Sequence, residues 1–120
     1  MNRRIIAAVD DLFFAARIRG TAEQSGVRAD FPKTAEAIFE EATRDTPALL
    51  IIDLHNKLCD PFALAERFKR DAQLRGVPIV GFFSHVRTEL MQRARQAGMD
   101  QVMPRSAFTK RLPEILRGEY

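Results

Sequence analysis

The sequence predicts a single α/β domain in which five parallel β-strands alternate with five α-helices. Short β-branched apolar runs recur along the chain, and each is followed by a segment with the three-and-four apolar spacing of an amphipathic helix. The strand runs lack polar alternation, as expected for strands covered by helices on both faces. A chain of 120 residues suits one compact hydrophobic core. We therefore expect a doubly wound (βα)₅ fold over residues 1–120.

The strands are predicted from their apolar composition. The third run, Ala48 to Ile52, is the purest and is typical of a central strand that ends at Asp53. The fifth run meets Pro104, which has no backbone N–H to donate and therefore places that strand at a sheet edge. The predicted strands are residues 4–9, 27–31, 48–52, 78–83 and 101–103.

The helices are predicted from one apolar stripe each and from their start and stop residues. Thr34 and Asp60 are predicted N-caps, and Pro61 suits the first turn of its helix. Pro113 interrupts the last helix, so we expect its regular part to begin near residues 109–112. Glycines end the first, third, fourth and fifth helices, at Gly26, Gly76, Gly98 and Gly118, and Thr46-Pro47 ends the second. The stripes are Phe14, Ile18 and Ala22; Ala35, Ile38, Phe39 and Ala42; Leu64, Ala65, Phe68 and Ala72; Leu90, Met91, Ala94 and Ala97; and Phe108, Leu112, Ile115 and Leu116.

Composition excludes several classes of protein. The chain is 46% hydrophobic and 29% charged, which is a globular balance rather than that of a disordered chain. It has no apolar run near the roughly 20 residues of a membrane span and no signal peptide, so we expect a cytoplasmic protein. A net charge of +3 with interspersed signs does not indicate nucleic acid. The single cysteine, Cys59, excludes an internal disulfide and is interpreted as a buried small hydrophobe, while His55 and His85 are interpreted as loop residues.

Three aspartates follow predicted strands. Asp10 and Asp11 end the first strand, and Asp53 ends the third. Ligands of doubly wound sheets bind beyond the carboxyl ends of the central strands, where these residues would converge. Three neighbouring carboxylates repel one another unless a cation or raised pKa values relieve them. Mg²⁺ is the natural cation, because it prefers carboxylate oxygens and keeps exchangeable waters.

Several short segments occur in an order that is typical of one family. They are Val9-Asp10-Asp11, Asp53-Leu54, Asp60-Pro61, Pro78-Ile79-Val80 and Ala97-Gly98-Met99-Asp100. Over essentially all 120 residues the chain therefore resembles the receiver domain of two-component response regulators, in a stand-alone form similar to the chemotaxis regulators. The resemblance implies a flavodoxin-like five-stranded sheet with strand order 2-1-3-4-5.

The resemblance also implies roles for site residues. Asp53 matches the phospho-acceptor and a ligand of Mg²⁺, Asp11 matches a Mg²⁺ ligand, Asp10 matches a ligand through water, and His55 matches the residue that offers its backbone carbonyl to the metal. The implied chemistry is attack by the Asp53 carboxylate on a phosphohistidine while Mg²⁺ neutralises charge on the transferring oxygens. The aspartyl phosphate is later hydrolysed, so we expect a phospho-acceptor rather than an enzyme with a turnover substrate.

The chain departs from the family pattern at several positions. Phe83 stands where receivers usually have the serine or threonine of the switch, and Ser84 could supply that hydroxyl only if the strand end slips or bulges. Arg105 replaces the usual lysine after the fifth strand. Val102 replaces an aromatic residue, and Asn56-Lys57 replaces Met-Pro. The pattern therefore keeps the residues that are expected to bind Mg²⁺, but it alters residues with which receivers switch.

Three functions are compared on these residues. The leading one is a response-regulator receiver that is phosphorylated on Asp53 by a histidine kinase or histidine phosphotransfer protein and signals through protein contacts. The alternative is a phosphorylation-independent pseudo-receiver that acts as an adaptor, which Phe83 and Val102 favour. Arg105 either binds phosphate or forms a static salt bridge with Asp53. A flavodoxin-like cofactor binder is disfavoured, because residues 10–14 lack the Ser/Thr/Gly cradle for a phosphate.

The interaction surface is placed by the same resemblance. Receivers often use the face of the fourth helix, fifth strand and fifth helix, and here that face is rich in paired charges that could support a symmetric homodimer. The downstream protein partner is not identified by the sequence. The last predicted helix ends close to Tyr120, and we expect a natural single-domain protein.

Overall fold

Residues 3–84 and 87–119 are described by the computed structural model, and they form five strands that alternate with five helices. All four strand pairings are parallel, and the order β2-β1-β3-β4-β5 confirms the predicted flavodoxin-like sheet. His85, interpreted from the sequence as a loop residue, lies outside the described residues. The strands are β1 (Arg3–Ala8), β2 (Val27–Asp30), β3 (Leu49–Asp53), β4 (Ile79–Phe83) and β5 (Gln101–Pro104). The helices are α1 (Leu12–Gln24), α2 (Ala35–Arg44), α3 (Pro61–Arg70), α4 (Thr88–Gln96) and α5 (Arg105–Leu116).

Side-chain caps begin three of the helices. The Thr34 hydroxyl oxygen accepts a hydrogen bond from the Ala37 N–H at 3.0 Å, and one carboxylate oxygen of Asp60 accepts from two N–H groups at 2.9 and 3.2 Å. Both predicted N-caps are confirmed, because these oxygens satisfy N–H groups that have no partner within a helix. Asp11 caps α1 in the same way, accepting from the Phe14 N–H at 3.0 Å.

The last helix begins earlier than the sequence predicted. α5 starts at Arg105 and continues through Pro113, so the expected start near residues 109–112 is wrong. Proline removes one backbone hydrogen bond, but Pro113 is exposed, and the apolar face of the helix packs into the core on both sides of it. Tertiary packing therefore overrides the local preference. The buried residues of that face are Phe108, Leu112, Ile115 and Leu116.

The third helix ends earlier than predicted. α3 stops at Arg70, and Ala72, assigned to its inner face, is exposed. One carboxylate oxygen of Asp71 accepts from the N–H groups of Gln73 and Leu74, at 2.8 and 3.2 Å, and this closes a turn in place of the next helical turn. Leu74 takes the core position instead and is fully buried.

Two hydrophobic clusters lie on opposite faces of the sheet. One is covered by α1 and α5 and the other by α2, α3 and α4, which is the double winding that the sequence predicted. Neighbouring side chains of β4 alternate between them, so Phe82 belongs to the first cluster and Phe83 to the second. Of the α4 stripe, Ala94 and Ala97 are buried, while the two larger residues are only half-buried. Within the described residues, no helix has the length and apolar character needed to span a membrane.

Candidate functional site

The predicted site residues line one cavity at the carboxyl edge of the sheet. Asp10 and Asp11 follow β1, Asp53 ends β3, and Arg105 begins α5. The cavity has a volume of about 220 Å³, and the structure brings all six predicted residues together around it. Its lining consists of Asp10, Asp11, Asp53, His55, Lys57, Phe82, Phe83, Ser84 and Arg105.

Asp53 lies at the end of a fully buried strand. It is in register with Phe82 of β4, and its Oδ1 accepts a hydrogen bond from the His55 N–H at 2.8 Å. Burial raises the pKa of the Asp53 carboxyl, and the negative charge of Asp10 acts in the same direction, although the His55 N–H and the positive charge of Arg105 partly oppose the shift. The Asp53 carboxylate is therefore a partly desolvated group that a positive charge or a cation would stabilise.

The loop after β3 is organised by Asn56, a residue to which the sequence analysis gave no role. The side chain is buried, with 8% exposure. Its Nδ2 donates to the Asp53 carbonyl at 2.8 Å, while its Oδ1 accepts from the N–H groups of Leu58 at 2.8 Å and Cys59 at 3.0 Å. Asparagine side chains often form such local turns, and this was the available signal. Cys59 itself is half-buried rather than buried.

A second contact ties the same loop to β1. The Lys57 N–H donates to Asp10 Oδ2 at 3.0 Å, across 47 residues of sequence. Asp10 and Asp53 are thus each held by a backbone N–H of the loop after β3. The loop and the two strand ends form one hydrogen-bonded unit.

Arg105 forms its salt bridge with Asp11. Arg105 Nη2 lies 2.9 Å from Asp11 Oδ2, and the guanidinium carbon lies 4.2 Å from the centre of the Phe14 ring. The hypothesis of a static salt bridge to Asp53 is therefore wrong for this structure. The hydrogen bond from the Phe14 N–H, followed by that from Arg105, holds the pKa of the Asp11 carboxyl below its usual value.

The donor set of the cavity fits a hard divalent cation in its chemistry. Three carboxylates line one small space, and the partly desolvated Asp53 needs positive charge. Among the described residues, however, no three acidic, histidine or cysteine side chains converge closely enough to hold a metal ion. The hydrogen bonds explain this: Asp11 faces Arg105 and Phe14, and Asp10 and Asp53 are each turned to the loop.

Solved structures share this fold, although no protein-family model and no curated protein matches the sequence. The chemotaxis response regulator CheY4 of Vibrio cholerae is 13% identical, with a TM-score of 0.85 over 100% of both chains. A putative response regulator from Chloroflexus aurantiacus is 14% identical, with a TM-score of 0.87 over 99% of this chain and 98% of its own. This chain has the receiver-domain fold.

A third structure with the receiver fold carries a metal. The receiver domain of a sensor histidine kinase from Pseudomonas aeruginosa has a magnesium ion coordinated in its active-site cleft. It is 17% identical to this chain, with a TM-score of 0.84 over 98% of this chain and 97% of that domain. At such low identity the likeness concerns the fold.

The end of β4 carries Phe83 where receivers usually have the switch hydroxyl, and no bulge moves Ser84 into that position. Residues 79–82 pair one to one with β3 and residues 80–83 pair one to one with β5, so the slip that would have moved Ser84 does not occur. Phe83 is 2% exposed and packs against the α2, α3 and α4 side of this receiver fold. Ser84 is exposed and still lines the cavity, as the first residue after the strand. A hydroxyl therefore reaches the cavity beside a strand of regular register.

An apolar groove adjoins the cavity, and sequence reasoning did not identify it. Phe13 and Leu12, at the start of α1, are 91% and 78% exposed, which is unusual for large hydrophobic side chains. The groove has a volume of about 840 Å³ and shares Ser84 and Arg105 with the acidic cavity. Its lining consists of Phe13, Phe14, Arg17, Ser84, Pro104, Arg105, Ser106 and Thr109.

Proposed function

We propose that this chain is a response-regulator receiver that accepts a phosphoryl group on Asp53 from a histidine kinase or histidine phosphotransfer protein. The observation that carries the proposal is the position of Asp53, a partly desolvated carboxylate at the end of a central strand in one cavity with Asp10, Asp11 and Arg105. The receiver-domain fold supports it, because receivers are mainly phospho-acceptors. A cytoplasmic location, expected from the sequence, belongs to the same proposal.

The chemistry requires one nucleophilic oxygen and a way to neutralise charge. Asp53 Oδ1 is engaged by the His55 N–H, and within the described residues no hydrogen bond reaches Oδ2. Oδ2 is therefore the oxygen that attacks phosphorus; a P–O bond forms, the P–N bond to the donor's histidine breaks, and the electron pair of that bond leaves with the imidazole. Water later attacks the phosphorus of the acyl phosphate, which releases inorganic phosphate and restores Asp53.

The residues that would hold Mg²⁺ are Asp10, Asp11, Asp53 and the backbone carbonyl of His55. A bound Mg²⁺ neutralises negative charge on the transferring phosphoryl oxygens. The chemistry of the three carboxylates supports this assignment, as does the magnesium in the cleft of the Pseudomonas receiver domain. The chain's own part is to keep Asp10 and Asp53 aligned through the loop N–H groups.

A phosphodonor must cover the mouth of the cavity to bring its histidine to Asp53. Phe13 lines the groove beside that mouth and supplies exposed apolar area, Leu12 precedes it in the chain and is also exposed, and Arg17 adds positive charge to the groove. We propose this groove as the donor side. The homodimer through α4, β5 and α5 remains a prediction from the sequence.

The second candidate is a phosphorylation-independent adaptor. Two observations favour it: Phe83 is buried where receivers usually place a hydroxyl, and Arg105 already occupies one oxygen of Asp11. In this function the cavity would stay in its present state, and partner binding would not require phosphate.

An NMR titration distinguishes the two functions. The wild-type chain is titrated with Mg²⁺ and then with beryllofluoride, a phosphoryl analogue, while the amides of Asp11, Asp53, Ser84 and Arg105 are followed. The receiver proposal expects saturable shifts that need both additions and that are absent in Asp53→Asn. Shifts with Mg²⁺ alone, or none, would reject it in favour of the adaptor. Retention of the analogue response in Asp53→Asn would show that Asp53 is the wrong residue.

A further inference from the structure

We propose that Arg105 is a built-in counter-ion for Asp11, and that a divalent cation must displace this guanidinium from Asp11 in order to bind the cavity. The inference deepens the proposed function, since it concerns the same metal site and rests on that assignment. It makes Arg105 the residue that sets the metal affinity of the site, in addition to the phosphate contact that its position implies.

Each oxygen of the Asp11 carboxylate already accepts a hydrogen bond in the present arrangement. Its Oδ1 accepts from the Phe14 N–H at 3.0 Å, and its Oδ2 accepts from Arg105 Nη2 at 2.9 Å. The first bond is the N-cap of α1 and belongs to the fold. Oδ2 is therefore the oxygen that Asp11 can offer to a metal without disturbing the cap of α1, and it is the one that Arg105 contacts.

The position of Arg105 is not explained by the stability of α5. Arg105 is the first residue of that helix, where the partial positive charge of the helix disfavours a cation. No acidic residue in the first turn compensates it, and the N-cap, Pro104, makes no side-chain cap. The stabilising contacts of the guanidinium lie outside the helix, at Asp11 and over the ring of Phe14. Contacts with Asp11 and Phe14, rather than contacts within α5, therefore hold the Arg105 side chain in place.

The ring under the guanidinium is part of a buried cluster of three phenylalanine rings. Phe14 stacks on Phe82 with ring centres 4.7 Å apart, and Phe82 stacks on Phe108 at 4.5 Å. All three rings are buried in the cluster covered by α1 and α5. This platform fixes the plane on which the guanidinium lies, so Arg105 is oriented toward Asp11 before any ligand arrives.

A cation and the guanidinium cannot share Asp11 Oδ2 without cost. Both are positive, and a guanidinium cannot lose its charge by deprotonation in a protein. A cation that takes the oxygen must therefore also overcome repulsion from an arginine nearby, unless the side chain moves away. Arg105 is about two-fifths exposed, so it has solvent into which it can move.

Displacement of the Arg105 guanidinium would also change the neighbouring groove. Arg105 and Ser84 line both the acidic cavity and the groove that contains Phe13. When the guanidinium leaves Asp11, one wall of the groove changes. Occupation of the cavity and the shape of the proposed donor side are coupled through one side chain.

The test is a direct comparison of metal affinities in folded, phosphate-free protein. Mn²⁺ binding is followed by the EPR signal of the free ion, and Mg²⁺ binding by amide shifts, in wild type, Arg105→Gln and the control Arg17→Gln. Arg17 is an exposed arginine that lines the groove but not the acidic cavity, and both variants lower the net charge of +3 by the same one unit. We expect Arg105→Gln to bind metal roughly three- to tenfold more tightly, and Arg17→Gln to change affinity by less than about twofold. In wild type, Mg²⁺ should also shift the amides of the groove, and this shift should be lost in Arg105→Gln.

The outcomes separate this inference from the proposed function. If wild type and Arg105→Gln bind Mn²⁺ equally tightly, Arg105 does not compete, and the inference is wrong while the metal site stands. If Arg105→Gln binds more weakly, the arginine supports the site instead and the inference is again wrong. If neither protein binds Mn²⁺ or Mg²⁺, the metal assignment of the proposed function fails, and the inference fails with it.

Discussion

Replacement of Asn56 by alanine tests how the loop beside Asp53 is held. The variant loses three hydrogen bonds with nitrogen donors, one to the Asp53 carbonyl and two from the N–H groups of Leu58 and Cys59, and also a weaker one from the Cys59 thiol at 3.7 Å. Each of the three bonds with nitrogen donors is worth about 0.5–1.5 kcal/mol net, so their sum is about 1.5–4.5 kcal/mol, to which a weak thiol donor adds little. Leu58 and Cys59 are only half-buried, and water can replace part of what their N–H groups lose. We therefore expect the free energy of unfolding to fall by about 2–3 kcal/mol.

The assay is urea unfolding followed by far-ultraviolet circular dichroism. The matched control is Lys57→Ala in the same loop, because Lys57 is exposed and its hydrogen bond to Asp10 comes from the backbone N–H, which alanine keeps. That control should change the free energy of unfolding by less than about 0.5 kcal/mol. A loss below about 0.5 kcal/mol in Asn56→Ala would show that the loop is held by something other than this side chain.

Three further substitutions test the core, the charges and the site. Phe82→Ala should lower the free energy of unfolding by about 3–5 kcal/mol, because a fully buried ring is lost from a cluster in which it contacts two other rings; a loss under about 1 kcal/mol would contradict these ring contacts. Asp30→Asn should destabilise the protein at pH 7 by about 1–3 kcal/mol, because Asp30 pairs with the buried Arg4. Burial acts to raise the pKa of Asp30, but hydrogen bonds from Arg4 and Arg28 outweigh it and lower that pKa. The stabilisation by Asp30 is therefore present above about pH 4 and should fade as pH falls below it. A loss of stability in Asp30→Asn that does not depend on pH would refute this. Asp53→Asn should raise the free energy of unfolding by about 0.5–2 kcal/mol in metal-free buffer, because a partly desolvated charge is removed, and a decrease would contradict the electrostatics of the cavity.

The sheet and the convergence of the aspartates could be predicted because both follow from short-range pattern. A buried parallel strand needs an unbroken apolar run, and the third run supplies it with Asp53 at its end. Parallel strands place all their carboxyl ends at one edge, so Asp10, Asp11 and Asp53 had to meet there. Predicted strand ends agree with the structure to within one residue.

The partner of Arg105 could not be predicted. Its sequence position, 94 residues from Asp11, places it at the correct edge but near three carboxylates at once. The choice depends on the ring of Phe14, which supports the guanidinium beside Asp11. The partner of Arg105 is determined by tertiary packing, which residue spacing and composition do not reveal.

The ends of the later helices show the same limit. Because of Pro113, local preference placed the regular start of α5 near residues 109–112, but packing of the apolar face allows the helix to begin at Arg105 and to continue through the proline. In α3, the Asp71 turn ends the helix before Ala72, and Leu74 fills the core instead. Sequence pattern identified each helix and its buried side, while its ends depended on contacts formed only in the folded chain.

The most direct test of the central claim is the transfer of a phosphoryl group to Asp53. The wild-type chain is incubated with Mg²⁺ and phosphoramidate, a small donor with the same P–N bond as phosphohistidine, and its intact mass is measured beside that of Asp53→Asn. We expect wild type to gain the mass of one phosphoryl group, in a bond that hydroxylamine cleaves, and the variant to gain none. No gain in wild type, or an equal gain in Asp53→Asn, would contradict the assignment of Asp53 as the phospho-acceptor.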